Sequence, residues 1–405
     1  MLAERKRPLQ ILSDRATRPL WAARTLEQVA DWTFLTTLLV AAWMVRPSAA
    51  SVGIVLLARI APRLLVLVLG ERLLPVLGPA GLATLTVLRA LVAAALASAF
   101  VPLDMVVLAA GALVSGTLSA ISAETRAGLL PAVVAPGGLG LAGAFDALLE
   151  RAALMAGPLL ATVVLVMAGP LPAFGVAAGL MTAAALTYLG VRADGRAAGA
   201  AQDRRDPSRT ALPPALLMVA VAAFVTGAIA GSLLVALMPI IVLRLDGPPA
   251  ALGLGLAAVG LGTLIGPLAV PRLMGRLPAS VLMAGLVALS AGATIVVAVV
   301  DDAIAIALAL VGIGIVGVTH DVVRAIVARR SAADDRFLAG TRLVLLAGTG
   351  GQCLGAVVPG LLDPSLGPAG GLAAVTVASL VTIVVAALAT GRRDPLRHHG
   401  SISST

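Results

Sequence analysis

The sequence predicts an all-α integral membrane protein of about 12 transmembrane helices, arranged as two six-helix bundles. Apolar residues make up 60% of the 405-residue chain and charged residues 12%, and the mean hydropathy is +1.05. One soluble core cannot hide so much apolar surface. About twelve apolar stretches of roughly twenty residues follow one another from Trp21 to Thr390, and each is long enough to cross a bilayer.

The predicted spans are separated by short loops that carry arginine. In chain order they are 19–45, 50–70, 77–99, 101–123, 138–168, 171–190, 213–243, 249–271, 279–300, 303–327, 337–362 and 368–390. One long polar linker divides them into two sets of six. The predicted domains are an N-terminal tail (1–18), a first bundle (19–190), the linker (191–212), a second bundle (213–390) and a C-terminal tail (391–405). Both halves place charge before a long fifth helix, so we expect parallel repeats related by a pseudo-twofold axis along the membrane normal.

Arginine distribution predicts the orientation of the chain. Both tails, the linker and the loops 271–278 and 328–336 carry most of the loop arginines, and an even number of spans places all of them on one side. The positive-inside rule assigns this side to the cytoplasm. The first apolar run is too long for the core of a signal peptide, so it is expected to remain. We therefore expect a multi-pass protein of the plasma (inner) membrane with both termini cytoplasmic.

Several function classes lack support in the sequence. The formal net charge of +9 comes from arginines between apolar runs, and no basic patch interleaved with aromatics suggests nucleic acid. Lys6 is the only lysine, so no GxxxxGK[ST] loop exists, and HExxH, CxxC and GxSxG are also missing. We expect no enzyme activity, no cofactor and no metal. An ion gradient is the remaining energy source, since one charge moving through 100 mV provides about 2.3 kcal/mol.

Charged residues inside the first two spans form the first candidate site. Arg24, Glu27, Gln28 and Asp31 recur at three- and four-residue spacing and so share one face of the first helix. Asp31 lies about 15 Å along the helix from Trp21, near the membrane midplane.

The second span carries two arginines at matching depths. Arg59 lies level with Asp31 and Arg63 level with Glu27 on an antiparallel neighbour, which predicts the pairs Asp31–Arg59 and Glu27–Arg63. Two interpretations stay open. The pairs either fix helix packing, or Asp31 exchanges a proton when its arginine partner changes.

Asp146, Glu150 and Arg151 form a second candidate site on the fifth span. Two carboxylates one helical turn apart repel each other when both are ionised, which favours proton binding by one of them. They also suit a cationic substrate. The alternative is that Glu150 pairs with an arginine of another helix while Asp146 lies near cytoplasmic water.

The tenth span carries His320, Asp321 and Arg324 near its cytoplasmic end. Asp321 and Arg324 are three residues apart and can interact locally. A histidine beside an acid can titrate in the physiological range, which keeps His320 among the candidate site residues. We favour the alternative that it is a hydrogen-bonded structural residue. Arg342 is interpreted as an anchor near a loop. The sequence predicts no partner for Arg89.

LAGAFDALLERAALMAGPLLATVVLVMAGPLPAFGVAAGLMTAAAL (141–186) looks like the fifth and sixth helices of the proton-driven exporters of siderophores and drugs, a branch of the major facilitator superfamily. Gly157 and Pro158 stand at the Gly-Pro position of that branch, and Asp146 stands where asparagine is usual. The loop signature of the superfamily is poorly kept, because its second-half counterpart, GPLAVPRLMGR, retains Gly266, Arg272, Gly275 and Arg276 but lacks the aspartate. The resemblance covers nearly all of 1–390 and implies packing or gating roles for these residues.

The resemblance implies a secondary transporter that works by alternating access. We expect proton-coupled export of a small or amphiphilic molecule by a monomer in the lipid bilayer, with no nucleic-acid partner. Few aromatics, 2% of the chain, argue against a sugar site. Two alternatives stay open. One is a lipid or solute carrier of other direction, and the other is a membrane scaffold without transport activity.

Overall fold

The computed structural model of the chain describes residues 17–73, 77–98, 103–134, 138–191, 214–268, 279–331 and 334–391. Within these ranges the structure is helical and contains no strand. The first half consists of α1 (Arg18–Val45), α2 (Ala49–Leu73), α3 (Pro79–Ala97), α4 (Met105–Val133), α5 (Leu139–Ala168) and α6 (Pro170–Tyr188). The second half contains α7 (Pro214–Pro239), α8 (Leu252–Ile265), α9 (Ala279–Val299) and α10 (Ala303–Ser331), followed by the helical stretch Asp334–Gly391.

The last helical stretch comprises two spans. At 58 residues it would be about 87 Å long if it were straight, nearly three times the thickness of a bilayer core. Gly367 interrupts it with a φ of 69° and a ψ of 171°, a conformation that glycine adopts without a steric penalty. We therefore label its parts α11 (334–366) and α12 (368–391). The described residues thus form twelve helices, as the sequence predicts, and eleven stretches are long and apolar enough to span a membrane, with α11 and α12 counted as one.

Several helix ends differ from their predicted positions, and the largest difference is at α4. The fourth span was predicted at 101–123, but α4 runs from Met105 to Val133, and α10 likewise continues past residue 327 to Ser331. The predicted spans were ended where charged residues appear. Alanine, glutamate and arginine are good helix formers, however, so the helices continue through these charged segments. The linker and both tails lie almost wholly outside the described residues, so the domain boundaries there stay predictions.

Both halves pack their helices in the same pattern. In the first half α4 packs against α2 and α3, α5 against α1, and α6 against α3. The second half repeats this with α10 against α8 and α9, α11 against α7, and α12 against α9. Equivalent contacts in the same chain order are what a parallel repeat produces.

Facing glycines interlock α7 and α11. Gly227 and Gly231 of α7 and Gly351 and Gly355 of α11 form two GxxxG patterns. A Cβ atom on any of them would collide with a backbone carbonyl oxygen of the other helix. Small residues at this spacing let membrane helices approach to backbone contact.

Two glycines selected from the sequence also mediate helix contacts. Gly157 packs against α1 between Val29 and Thr33, and Thr33 Oγ1 donates a hydrogen bond of 3.1 Å to the Gly157 carbonyl. Pro158 follows it inside α5 and is buried. Gly266 lies against Val318 of α10. The remaining residues of the predicted loop signature, Arg272, Gly275 and Arg276, lie outside the described residues.

The two halves meet through α2 with α11 and α5 with α8. We call the end of the bundle where α1 begins the terminal face and the end where α1 stops the opposite face. Near the opposite face, a Cβ atom on Gly53 would collide with the Ala356 carbonyl, and Thr162 Oγ1 donates a hydrogen bond of 3.1 Å to the Ala250 carbonyl. The halves are therefore in backbone contact at this face.

Arg342 joins α11 to α2 nearer the terminal face. Its Nε donates to the Leu67 carbonyl at 2.5 Å and its Nη2 to the Val68 carbonyl at 3.2 Å. This residue was predicted to be an anchor near a loop, and its hydrogen bonds show that it anchors one half of the protein to the other.

We expect Gly355→Ala to destabilise the protein by about 1–3 kcal/mol, because the new Cβ meets the Ala228 carbonyl and overpacks the α7–α11 contact. Thermal unfolding of the purified protein in detergent measures this. Gly350→Ala is the matched control, since a Cβ there meets nothing within 4 Å and alanine is the better helix former. Equal unfolding midpoints for the two variants would contradict the interlock.

Candidate functional site

A cavity of about 450 Å³ lies inside the first half and reaches the interface with the second. Its walls come from α1, α2, α4 and α5, while the second half contributes Leu234 and Gln352. It extends from the level of Leu56 to Leu20 in the first turn of α1. The polar side chains of the first half that line it are Arg24, Gln28, Asp31, Arg59, Arg63, Ser119, Arg126, Asp146 and Glu150.

Asp31 is held on both carboxylate oxygens. Arg59 Nη2 donates to Oδ1 at 2.9 Å, and the Arg89 guanidinium also binds Oδ1. Ser119 Oγ donates to Oδ2 at 3.2 Å. The predicted Asp31–Arg59 pair is thus present, and Arg89, for which the sequence predicted no partner, is the second cation.

The predicted Glu27–Arg63 pair is wrong. Glu27 accepts hydrogen bonds from Arg89 Nη1 at 2.7 Å, Arg126 Nη1 at 2.8 Å and the Tyr188 hydroxyl at 2.7 Å. Donors from three neighbouring helices, α3, α4 and α6, therefore occupy both oxygens of this carboxylate, and Arg63 of α2 is not among them. Arg63 is exposed, lines the cavity and makes no ion pair with the described residues.

Arg89 links the two acids of α1. Its side chain is 0% exposed, and it binds Glu27 and Asp31, which lie one helical turn apart. A cation buried in a membrane bundle is costly unless acids and hydrogen-bond acceptors surround it. The four-residue spacing of the acids on α1 gives one guanidinium both partners.

The two carboxylates of α5 have different surroundings. Asp146 pairs with Arg24, whose Nε donates to Oδ1 at 2.6 Å and whose Nη2 donates to Oδ2 at 3.4 Å. Glu150 is exposed, lines the cavity and makes no ion pair within 4 Å among the described residues. This is the reverse of the alternative in which Glu150 was paired and Asp146 faced water. Arg151 does not line the cavity.

Comparison with known proteins identifies the fold. No family model and no curated protein sequence matches the chain. Among solved structures, a bacterial homolog of the human lysosomal transporter Spinster, in an inward-facing and occupied conformation, aligns with a TM-score of 0.70 at 14% identity, covering 96% of this chain and 100% of its own. The peptide transporter POT in complex with sulfate aligns with a TM-score of 0.75 at 14% identity, covering 96% and 98%. The nucleoside transporter NupG aligns with a TM-score of 0.67 at 12% identity, covering 93% of this chain and 99% of its own.

The chain has the major facilitator fold. The helices and their packing align with those of these transporters over at least 93% of the chain. At these identities the likeness establishes the fold alone, so the narrower resemblance to siderophore and drug exporters stays an expectation.

The candidate residues of α10 lie outside the cavity of this major facilitator fold. Arg324 Nη2 and Asp321 Oδ1 form the expected local ion pair at 3.2 Å. His320 is buried, and its Nε2 finds no hydrogen-bond partner among the described residues, so the expected hydrogen bond is not seen at this atom. None of the three lines the cavity.

Sequence reasoning missed Arg126, Tyr188 and Ser119 as site residues. Arg126 was assigned to a loop because the fourth span was ended at residue 123, whereas α4 continues through it. A helical extension of this span places Arg126 two turns beyond Ser119, on the same face. Tyr188 is the one tyrosine of the chain, but no spacing rule links α6 to α1.

We expect Arg89→Leu to destabilise the protein by about 3–5 kcal/mol, because it removes one partner from two buried or half-buried acids. Thermal unfolding in detergent measures the loss. Arg46→Leu is the control, since Arg46 is exposed. The double variant Arg89→Leu/Glu27→Leu should lose less unfolding free energy than the sum of the two single variants, because either single change already removes the Arg89–Glu27 ion pair. Strict additivity would contradict the network.

Proposed function

We propose that the chain is a secondary transporter that moves a small molecule across the membrane by alternating access, exporting it in exchange for protons. The observation that carries this proposal is the cavity. It extends to the terminal face, while the two halves are in contact at the opposite face. Such one-sided access supports one of the two conformers that alternating access requires.

The contacts between the halves support a rocking motion. Each half has a hydrophobic cluster and glycine contacts of its own. The halves meet through α2 with α11 and α5 with α8, and they share one further hydrophobic cluster, which includes Leu56 and Ala356. Opening the opposite face requires Gly53 to leave Ala356, and closing the terminal face requires the walls of the cavity to meet. A transport-inactive scaffold has no need of a cavity lined by arginines and carboxylates, which are costly in a membrane.

Among the three candidate acids, Glu150 best suits proton exchange. The partners of Asp31 and Asp146 all lie in the same half of the protein, so rocking of the halves leaves these pairs in place. Glu150 makes no ion pair within 4 Å among the described residues, interacts electrostatically with its chain neighbour Arg151, and lines the cavity. We therefore assign proton exchange to Glu150. Arg24, Asp31 and Asp146 shape the cavity wall, and Glu27 lies buried behind it.

The direction of transport and the orientation are part of the proposal. Loop arginines support a cytoplasmic terminal face. The cavity would then take substrate from the cytoplasm, which accords with export.

We expect Glu150→Gln to abolish substrate-driven proton movement, because an amide cannot bind or release a proton at this position. The assay uses purified protein in liposomes that contain a pH-sensitive dye, challenged with amphiphiles, carboxylates, phosphate esters and amines. Glu124→Gln is the matched control, since Glu124 is exposed on α4 and does not line the cavity. We expect the control to retain at least half of the flux.

Two results would overturn parts of this proposal. Solute movement that persists without proton movement would remove the proton coupling. Folded protein that moves no solute in either orientation, by dye or by radiolabel, would contradict transport itself.

A further inference from the structure

We propose that the cavity binds the anionic group of its substrate, a carboxylate or a phosphate, through Arg63, with Arg59 one helical turn away on the same face of α2. This inference rests on the proposed transport function and adds the chemical class of the substrate. It follows from which hydrogen-bonding groups of the cavity are already used.

The acceptors of the α1 wall are occupied. Both oxygens of Asp31 and both oxygens of Glu27 accept hydrogen bonds from neighbouring helices. Asp146 likewise accepts from Arg24 through both oxygens. A cationic ligand would have to displace an arginine to reach any of these three carboxylates. Glu150, on the α5 side of the cavity, is the one lining carboxylate without an ion pair among the described residues.

The hydrogen-bond donors on the α2 side of the cavity are not all occupied. The Arg63 guanidinium makes no ion pair with the described residues. Arg59, one helical turn from Arg63 on α2, has an Nε that finds no acceptor within the described part of the chain. Both arginines line the cavity. A ligand at this wall can fill unused donors only by supplying acceptor oxygens.

The net charge of the cluster favours the same conclusion. Five arginines (Arg24, Arg59, Arg63, Arg89 and Arg126) face four acids (Glu27, Asp31, Asp146 and Glu150). The uncompensated positive charge lies on the wall where Arg63 is exposed. One negative charge on the substrate would neutralise the cluster, and a proton on Glu150 would increase the attraction.

Beyond the arginines the cavity becomes apolar. Leu35, Leu56 and Leu234 line the part that lies farthest from the first turn of α1. A short alkyl or other apolar body attached to the anionic group would contact these side chains. The substrate we infer is therefore an organic anion, whether a soluble acid or the headgroup end of an amphiphile.

The test compares ligands that differ in charge at constant length. Octanoate, octyl phosphate, octanamide and octylamine are titrated into the purified full-length protein in a maltoside detergent by calorimetry. We expect saturable binding of the two anions alone, weakened by salt. Octanamide reports partition into micelles. Acetate and inorganic phosphate form a second arm, because binding of these short anions identifies a soluble acid, whereas binding of the long anions alone identifies an amphiphile.

Two variants assign the binding to this wall. We expect Arg63→Gln to weaken anion binding about tenfold to a hundredfold, the range for loss of a charged hydrogen bond. Arg63→Lys retains the positive charge and should weaken binding less than Arg63→Gln does. Arg46→Gln is the control, since Arg46 lies outside this cavity and is exposed. Thermal unfolding verifies that each variant is folded.

Binding of octanamide or octylamine as tight as that of the anions would overturn the inference, as would unchanged anion binding in folded Arg63→Gln or no saturable binding of any anion. These outcomes leave the transport proposal standing if liposomes still move a neutral or cationic solute. Anion-selective binding to a protein that moves no solute would support the site and contradict transport.

Discussion

The buried guanidinium of Arg89 organises the first half of the molecule. It lies between Glu27 and Asp31 of α1, and the remaining oxygens of these acids bring in α2 through Arg59, α4 through Ser119 and Arg126, and α6 through Tyr188. One α3 side chain therefore determines how α1 must face its neighbours. The cavity wall follows from this, because the side of the acids not used for packing borders the open space.

The fold was largely predictable because its signals are local. Apolar length gives each span, and the positions of arginine in the loops give the alternation of faces. The sequence also contains the two GxxxG patterns of the α7–α11 contact. Only the structure shows that these two patterns, which are far apart in the chain, face one another.

The site was less predictable because pairing depends on which helices are neighbours. Matching depth along two antiparallel spans was enough to predict the Asp31–Arg59 pair, because a short loop joins α1 to α2 and makes them neighbours. The same rule failed for Glu27 and Arg63, since Arg89, Arg126 and Tyr188 approach from helices that are not adjacent to α1 in sequence. A helix end misplaced by ten residues, at α4, removed Arg126 from consideration. Side-chain competition of this kind has no signature in spacing.

The two halves share a packing pattern but differ in chemistry. Among the described residues the charged network and nearly all of the cavity wall belong to the first half, whereas the second half contributes Leu234 and Gln352 and packs through glycines. The charged side chains of the cavity are thus concentrated in a half held together by ion pairs, and in the transport mechanism that we propose the other half is an apolar body that moves against it.

Arg342 holds α2 by main-chain oxygens of Leu67 and Val68 and not by a side chain. Every residue type carries a carbonyl, so α2 can change its sequence at these positions over evolutionary time without losing the contact. This contact therefore tolerates substitutions at the two α2 positions but depends on arginine at position 342 of α11.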